Sequence, residues 1–210
     1  VKAKNKKLAL GKIKGIAYRE NGKIIINPRR QPIINLDLIP LPAWSFFPMK
    51  KYTSCLKPFG IDNNEKAFGI LTSRGCINRC NFCYRMEKGI RLRSIKNVVK
   101  EIRILNKKYG VTYFLMYDEL FVFSKKRIIE FKELLAKNKL KIKYSCNARV
   151  DLFDKEMALF LKESGCHFLN FGMESSSQKV LDIMKKRTTV VQNIKAAEIS
   201  KKLGIGLGLN

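Results

Sequence analysis

The period of the apolar positions changes near residue 68. Before that point, residues 13–19 and 23–26 are short β-rich runs joined at Asn21-Gly22. Asn-Gly supplies the two positive-φ positions of a type I′ turn, so these runs predict a hairpin. Pro28, Pro32, Pro40, Pro42 and Pro48 follow. Each removes a backbone donor and fixes φ, which predicts an extended connector lying on a surface. Leu36, Leu38, Ile39, Trp44, Phe46 and Phe47 are too apolar for a free linker, so the connector is expected to pack on its neighbours.

From residue 68 onward, apolar runs alternate with amphipathic stretches. Residues 68–72 predict a first strand. Ser94 is placed to cap a helix whose Ile95, Val98, Val99, Ile102, Leu105 and Tyr109 keep helical spacing, with Gly110 just past its end. Residues 111–117 form a continuous apolar run, the mark of a strand buried on both faces. Ser124 opens a helix with Ile128, Phe131, Leu134 and Leu135 inward, and residues 141–146 make the third strand. Asp154 caps a helix carrying Met157, Phe160 and Leu161, closed by Gly165, before a fourth strand at 167–171. Helical patterns at 176–185 and 190–203 precede a fifth strand from 204. Strands about thirty residues apart with helices between them imply right-handed βαβ crossovers and a parallel sheet. A curled, barrel-like sheet and an open doubly wound one both fit this periodicity.

One loop departs from this pattern. Cys76, Cys80 and Cys83 stand within eight residues, three and then two residues apart, just after the first strand. Thiolates so close in sequence can converge on one metal centre. A structural zinc site is usually closed by four protein ligands, but Cys55, Cys146 and Cys166 are isolated and His167 is the only histidine. Three cysteines suit a four-iron cluster with one iron left open, although four is the usual protein ligation. The chain is also too long to depend on disulfide staples. The isolated cysteines are expected to be small apolar fillers, as are Met86, Met116, Met157, Met173 and Met184.

Polar residues recur after the other strands, where functional groups of parallel barrels gather: Asp118 and Glu119, then Asn147 and Arg149, then Glu174 and Ser175. Each has a plainer reading. Asp118-Glu119 could form a solvated turn, Arg149 and Asp151 a local ion pair, and Glu174 could favour the first turn of the following helix.

The net charge is +26, from 43 basic and 17 acidic residues. Such a balance raises nucleic acid as a partner. Lysine dominates, however, and is spread over every segment without an arginine-rich stripe, so a compositional bias explains it as well. No apolar run of eighteen residues occurs and residues 1–7 lack a following apolar stretch, so neither a membrane helix nor a signal peptide is expected. Clustered thiols without a disulfide pattern fit a reducing cytoplasm. The chain lacks an initial Met and stops within a strand pattern, so it reads as an internal piece of a longer protein.

The CxxxCxxC spacing of Cys76, Cys80 and Cys83, with Phe82 before the last cysteine, resembles the loop of radical S-adenosylmethionine enzymes. Residues 35–44 resemble the connector of that family's cobalamin-binding subfamily, although the DxHxxG motif of the cobalamin-binding domain is absent here. The resemblance implies an α/β fold: a partial (βα)6 TIM-like barrel of parallel strands, truncated near strand five, preceded by a β-hairpin and a Pro-rich connector. Residues 1–67 would then end a missing, cobalamin-binding N-terminal domain, and residues 68–210 would be the radical core, incomplete at its C-terminus.

It further implies that Cys76, Cys80 and Cys83 hold a 4Fe–4S cluster and that S-adenosylmethionine chelates the open iron. Phe82 would pack near the cluster and the adenine. Asp118 and Glu119 occupy the place of the family's Gly-Gly-Glu motif, which meets the methionine amino group, but without its glycines, so either acid could serve. Arg149 would meet the methionine carboxylate, and Glu174 and Ser175 the ribose hydroxyls. Gly206 to Asn210 would begin the adenine-binding backbone. The implied reaction is one-electron reductive cleavage of S-adenosylmethionine to a 5′-deoxyadenosyl radical, with a small-molecule substrate and an electron donor such as flavodoxin or ferredoxin. Cobalamin would extend it to methylation or rearrangement. Two other readings stay open: a tRNA-modifying member of the same family, and a zinc-stabilised nucleic-acid-binding module without catalysis.

Overall fold

The computed structural model describes residues 9–84 and 89–209. Met86, expected as a core filler, and Asn210, expected in the adenine-binding backbone, lie outside the described residues. The chain divides into two compact units, Val1–Ile34 and Asn35–Asn210.

In the first unit, β1 (Ala17–Glu20) pairs antiparallel with β2 (Lys23–Ile26). Asn21 and Gly22 take φ of 47° and 78°, the two positive values that a type I′ turn requires. Asn27 Nδ2 donates to the Leu10 and Ile13 carbonyls, both at 2.7 Å, and ties the approach to β1 against the end of β2.

The second unit opens with the Pro-rich stretch, which is more ordered than an extended connector. It forms 3₁₀ turns at Leu36–Leu38 and Trp44–Phe46 and a short helix, α1 (Met49–Cys55). A 3₁₀ turn spreads successive side chains over three sides, so only some of the apolar residues can face inward. Leu36 is buried and Trp44 packs edge-on against Phe68 at 5.1 Å, whereas Leu38, Phe46 and Phe47 stay exposed. The expected packing therefore holds for only part of the stretch.

Five parallel strands follow: β3 (Lys66–Ile70), then β6 (Val111–Met116), β7 (Lys143–Ala148), β8 (Cys166–Phe171) and β9 (Gly206–Leu209). Each lies beside its predecessor in the sheet, in chain order. A doubly wound sheet reverses its order at a switch point, and this one does not, so the order is that of a partial barrel. Between β3 and β6 the chain forms an antiparallel hairpin, β4 (Ser73–Cys76) with β5 (Gly89–Leu92), that carries the cysteine loop at its tip. The short, polar β4 carries no alternation from which a strand could be predicted.

The crossover helices are α2 (Ile95–Tyr109), α3 (Lys125–Lys137) and α4 (Lys155–Glu163), and α5 (Gln178–Ile183) with α6 (Val190–Lys202) joins β8 to β9. Their ends follow from local chemistry. Ser94 Oγ accepts the Asn97 N–H at 3.1 Å, and Asp154 Oδ1 accepts that of Met157 at 2.8 Å. Gly110 closes α2 in the left-handed conformation, φ 71°. Ser124 precedes α3 without a side-chain cap. The apolar faces of these helices cover the sheet, and Phe121, Phe131 and Tyr144 meet edge to face, with centroids 5.6–5.9 Å apart.

Candidate active site

The C-terminal ends of the parallel strands surround a cavity of about 460 Å³. It is lined by Cys76, Cys80 and Cys83 from the hairpin tip, Phe82 between the last two, Glu119 after β6, Arg149 after β7, and Glu174 and Lys186 after β8. None of the three cysteines is in a disulfide; Cys80 is buried and Cys83 exposed. The Cys76 and Cys80 sulfurs face N–H donors. The backbone N and side-chain Nδ2 of Asn78 point to Cys76 Sγ at 3.5 and 3.7 Å, and Arg149 Nη1 to Cys80 Sγ at 3.8 Å.

The loop is held by the end of α5. Asn81 donates through its backbone N–H to the Met184 carbonyl at 3.1 Å and through Nδ2 to the Ile183 carbonyl at 2.7 Å. These bonds anchor the residue between Cys80 and Phe82. Among the described residues, no three Cys, His, Asp or Glu side chains converge closely enough to enclose one metal ion. The three thiols line one cavity with room beside them, an arrangement that fits a multi-iron group ligated at its corners.

The two neighbouring acids go to different places. Asp118 is fully buried and faces the β3–β4 junction. Its carboxylate accepts from the Thr72 N–H at 2.8 Å, the Ser73 hydroxyl at 2.7 Å, the Thr72 hydroxyl at 3.0 Å and the Ser73 N–H. Burial pushes its carboxyl pKa up, and these donors from Ser73 and Thr72 pull it back. Asp118 is thus neither a solvated turn residue nor a lining residue. Glu119 is exposed and faces the cavity.

Arg149 is 6 % exposed, and most of its fork is engaged. Nε and Nη2 bind the Asp151 carboxylate at 2.9 and 3.0 Å, and Nη2 also donates to the Lys186 carbonyl at 2.8 Å. The local pair with Asp151 is therefore formed. Ser175 lies outside the lining: its Oγ accepts the Ser177 N–H at 3.0 Å and its carbonyl accepts from Asn193.

Lys186 is the residue that sequence reasoning missed. It sits in Lys185-Lys186-Arg187, a run that reads as a solvated surface, yet it is only 6 % exposed. Its ammonium donates to Glu174 Oε1 at 2.8 Å and stands 5.6 Å from the centroid of the Phe82 ring. Backbone strain concentrates around this pair. Glu174, Lys185 and Arg187 are left-handed, at φ of 63°, 51° and 58°, a conformation that costs about 1–2 kcal/mol for a non-glycine residue. Gly172 leaves room for the pair, because a Cβ there would lie 2.6 Å from Glu174 Oε1 and 2.8 Å from Lys186 Nζ. Glu174 thus binds Lys186 rather than capping the following helix. The only sequence signals were Gly172 and the carboxylate two residues after it.

Residues 70–209 match the sequence model of the Radical SAM superfamily. The chain belongs to the radical SAM superfamily. This is a family of enzymes that work with a 4Fe–4S cluster and S-adenosylmethionine. The radical SAM chain is 36% identical over 208 residues to an uncharacterised methyltransferase of Pyrococcus horikoshii, covering 98% of this chain and 44% of that protein. It is 33% identical over 198 residues to the anaerobic magnesium-protoporphyrin IX monomethyl ester cyclase of Rubrivivax gelatinosus, covering 92% of this chain and 34% of that one. It therefore spans less than half the length of either.

Among solved structures, it is similar to the cobalamin-dependent S-adenosylmethionine radical enzyme OxsB with aqua-cobalamin and S-adenosylmethionine bound. The TM-score is 0.77 at 27% identity, over 99% of this chain and 30% of that one. The methyltransferase TsrM of Kitasatospora setae, at TM-score 0.69 and 18% identity over 99% of this chain and 42% of its own, shares the fold. Among the described residues, no helix is long and apolar enough to cross a membrane.

Proposed function

We propose that this chain is the catalytic core of an enzyme that cleaves S-adenosylmethionine reductively, with Cys76, Cys80 and Cys83 ligating a 4Fe–4S cluster. One observation carries the reading: the three thiols of a CxxxCxxC loop line one cavity with Glu119, Glu174 and Lys186. When bound, the cluster supplies one electron that splits the S-adenosylmethionine sulfonium into methionine and a 5′-deoxyadenosyl radical.

The chain's own residues bind and orient. Glu119 is the acid offered to the methionine ammonium, since Asp118 has spent its oxygens on Thr72 and Ser73. Glu174, held by Lys186, presents its carboxylate for ribose hydroxyls. Phe82 gives the cavity an apolar wall. The cluster loop and the other lining residues of the cavity all fall within residues 68–210, and residues 1–67 lead into that part of the chain.

For the whole protein, the relatives support a cobalamin-dependent methylation or ring-forming rearrangement of a small molecule. The clustered thiols outside any disulfide fit a reducing cytoplasm, and one-electron chemistry calls for a donor of the flavodoxin or ferredoxin type. The deciding experiment is anaerobic reconstitution with iron and sulfide, followed by dithionite and S-adenosylmethionine. Iron–sulfur absorbance and 5′-deoxyadenosine are expected from the wild type, and neither from Cys80→Ala. A zinc-only wild type, or cleavage by Cys80→Ala, would sink the reading.

A further inference from the structure

We infer that Arg149 tunes the cluster's reduction potential through a hydrogen bond to the Cys80 sulfur, acting as a positioning residue rather than as a ligand of S-adenosylmethionine. The inference rests on the reading that Cys76, Cys80 and Cys83 carry a cluster.

It follows from how the guanidinium's donors are distributed. Nε and Nη2 grip Asp151, and Nη2 also holds the Lys186 carbonyl. These three bonds orient the planar group and leave Nη1, whose contact is Cys80 Sγ at 3.8 Å. Both residues are buried, Arg149 at 6 % and Cys80 at 7 % exposure, so water competes little for the sulfur. Hydrogen bonds to ligand sulfurs and local charge are among the determinants of iron–sulfur potential. An N–H donor or cation beside a thiolate stabilises the more negative, reduced cluster and so raises the potential. Asp151 sets how strongly Arg149 does this, because its carboxylate neutralises the guanidinium and competes for its polarity. The partners of a ligand are commonly as decisive for tuning as the ligand itself.

The pair makes opposite predictions for its two members. Removing Arg149 withdraws a donor and makes the cluster harder to reduce. Removing the charge of Asp151 leaves the guanidinium more positive and makes the cluster easier to reduce. A residue that only held the loop in place would not produce shifts of opposite sign.

The test is an EPR-monitored redox titration of the full-length protein after anaerobic reconstitution, comparing wild type with Arg149→Gln, Arg149→Lys and Asp151→Asn at matched iron content. At one fixed poise, the reduced-to-oxidised ratio is expected to fall several-fold in Arg149→Gln, fall less in Arg149→Lys, and rise in Asp151→Asn. Iron-loaded variants that titrate with the wild type overturn the inference. So does a wild-type potential in Arg149→Gln with a lost S-adenosylmethionine-induced EPR change, which makes Arg149 a cofactor ligand instead. If Arg149→Gln does not load iron, the rise in Asp151→Asn alone decides. A wild type that carries no iron–sulfur cluster fails the proposed function, and this inference with it.

Discussion

Lys186 shows how one side chain can acquire a role that its neighbours in sequence conceal. Its ammonium is desolvated, so its value depends on Glu174 and on the Phe82 ring face. Breaking a buried ion pair by removing one partner costs about 3 kcal/mol or more, because the other charge is left behind. Lys186→Ala should therefore lower stability by about 3 kcal/mol in denaturant melts and weaken S-adenosylmethionine binding by calorimetry. Gly172→Ala separates these effects. The added methyl presses on the pair without removing a charge, so binding should weaken more than stability falls. A variant with wild-type affinity would detach the pair from the ligand. Asp118 works at the same scale for a different end. Asp118→Ala strips partners from the buried Thr72 and Ser73 N–H groups, each worth about 1–3 kcal/mol when orphaned. The loss should appear as a lower denaturation midpoint and faster amide exchange at those two residues.

Elements are joined at their ends by charge as well as by packing. Lys125, the first residue of α3, bridges at 2.8 Å to Asp154, the N-cap of α4, and also reaches Glu156. The bond from Lys125, with that from the Met157 N–H, holds the Asp154 carboxyl below its ordinary 3.8. A depressed folded pKa means that the stabilisation is present above 3.8 and is lost as pH falls through the lower folded value. Asp154→Asn keeps a competent cap and loses only the charge. Its melting temperature should lie slightly below wild type at neutral pH, and the gap should close in acid. A gap independent of pH would assign the effect to the cap instead. Replacement by Ala removes both and costs about 1 kcal/mol more.

At the scale of the molecule, the two units differ in how they can hold themselves together. Asn35–Asn210 has a continuous core running from Met49 to Ile205. The hairpin unit leaves Ile24 and Ile26 exposed at 67 % and 79 %. A lone two-stranded hairpin is marginal in water, so a peptide of residues 9–34 should give a largely unstructured circular dichroism spectrum. A stable, cooperatively melting peptide would contradict this.

The alternation of strands and helices, their caps and the cysteine loop were legible in the chain, because each is set by neighbours within a few residues. Ser94, Gly110 and Asp154 each act on the helix they border. The β4–β5 hairpin was hidden because both strands are only four residues long, β4 carries no alternation, and the two stabilise one another across a loop.

The sequence by itself determined that three thiols share one loop at the end of a strand in a parallel βα series, and that acids and a cation follow at later strand ends. Only the tertiary structure decided which of these face the cavity. Asp118 and Glu119 are adjacent in the chain, yet they part because the β3–β4 junction offers four donors to one of them and the cavity takes the other. Lys186 looked like one charge in a solvated run until the turn after α5 folded it beneath Phe82. The pair of Arg149 with Asp151 could be read from the chain, whereas its bonds to the Lys186 carbonyl and to Cys80 came only with packing. Local periodicity sets elements, whereas the partners of a buried charge come from segments dozens of residues away and exist only once the chain has packed.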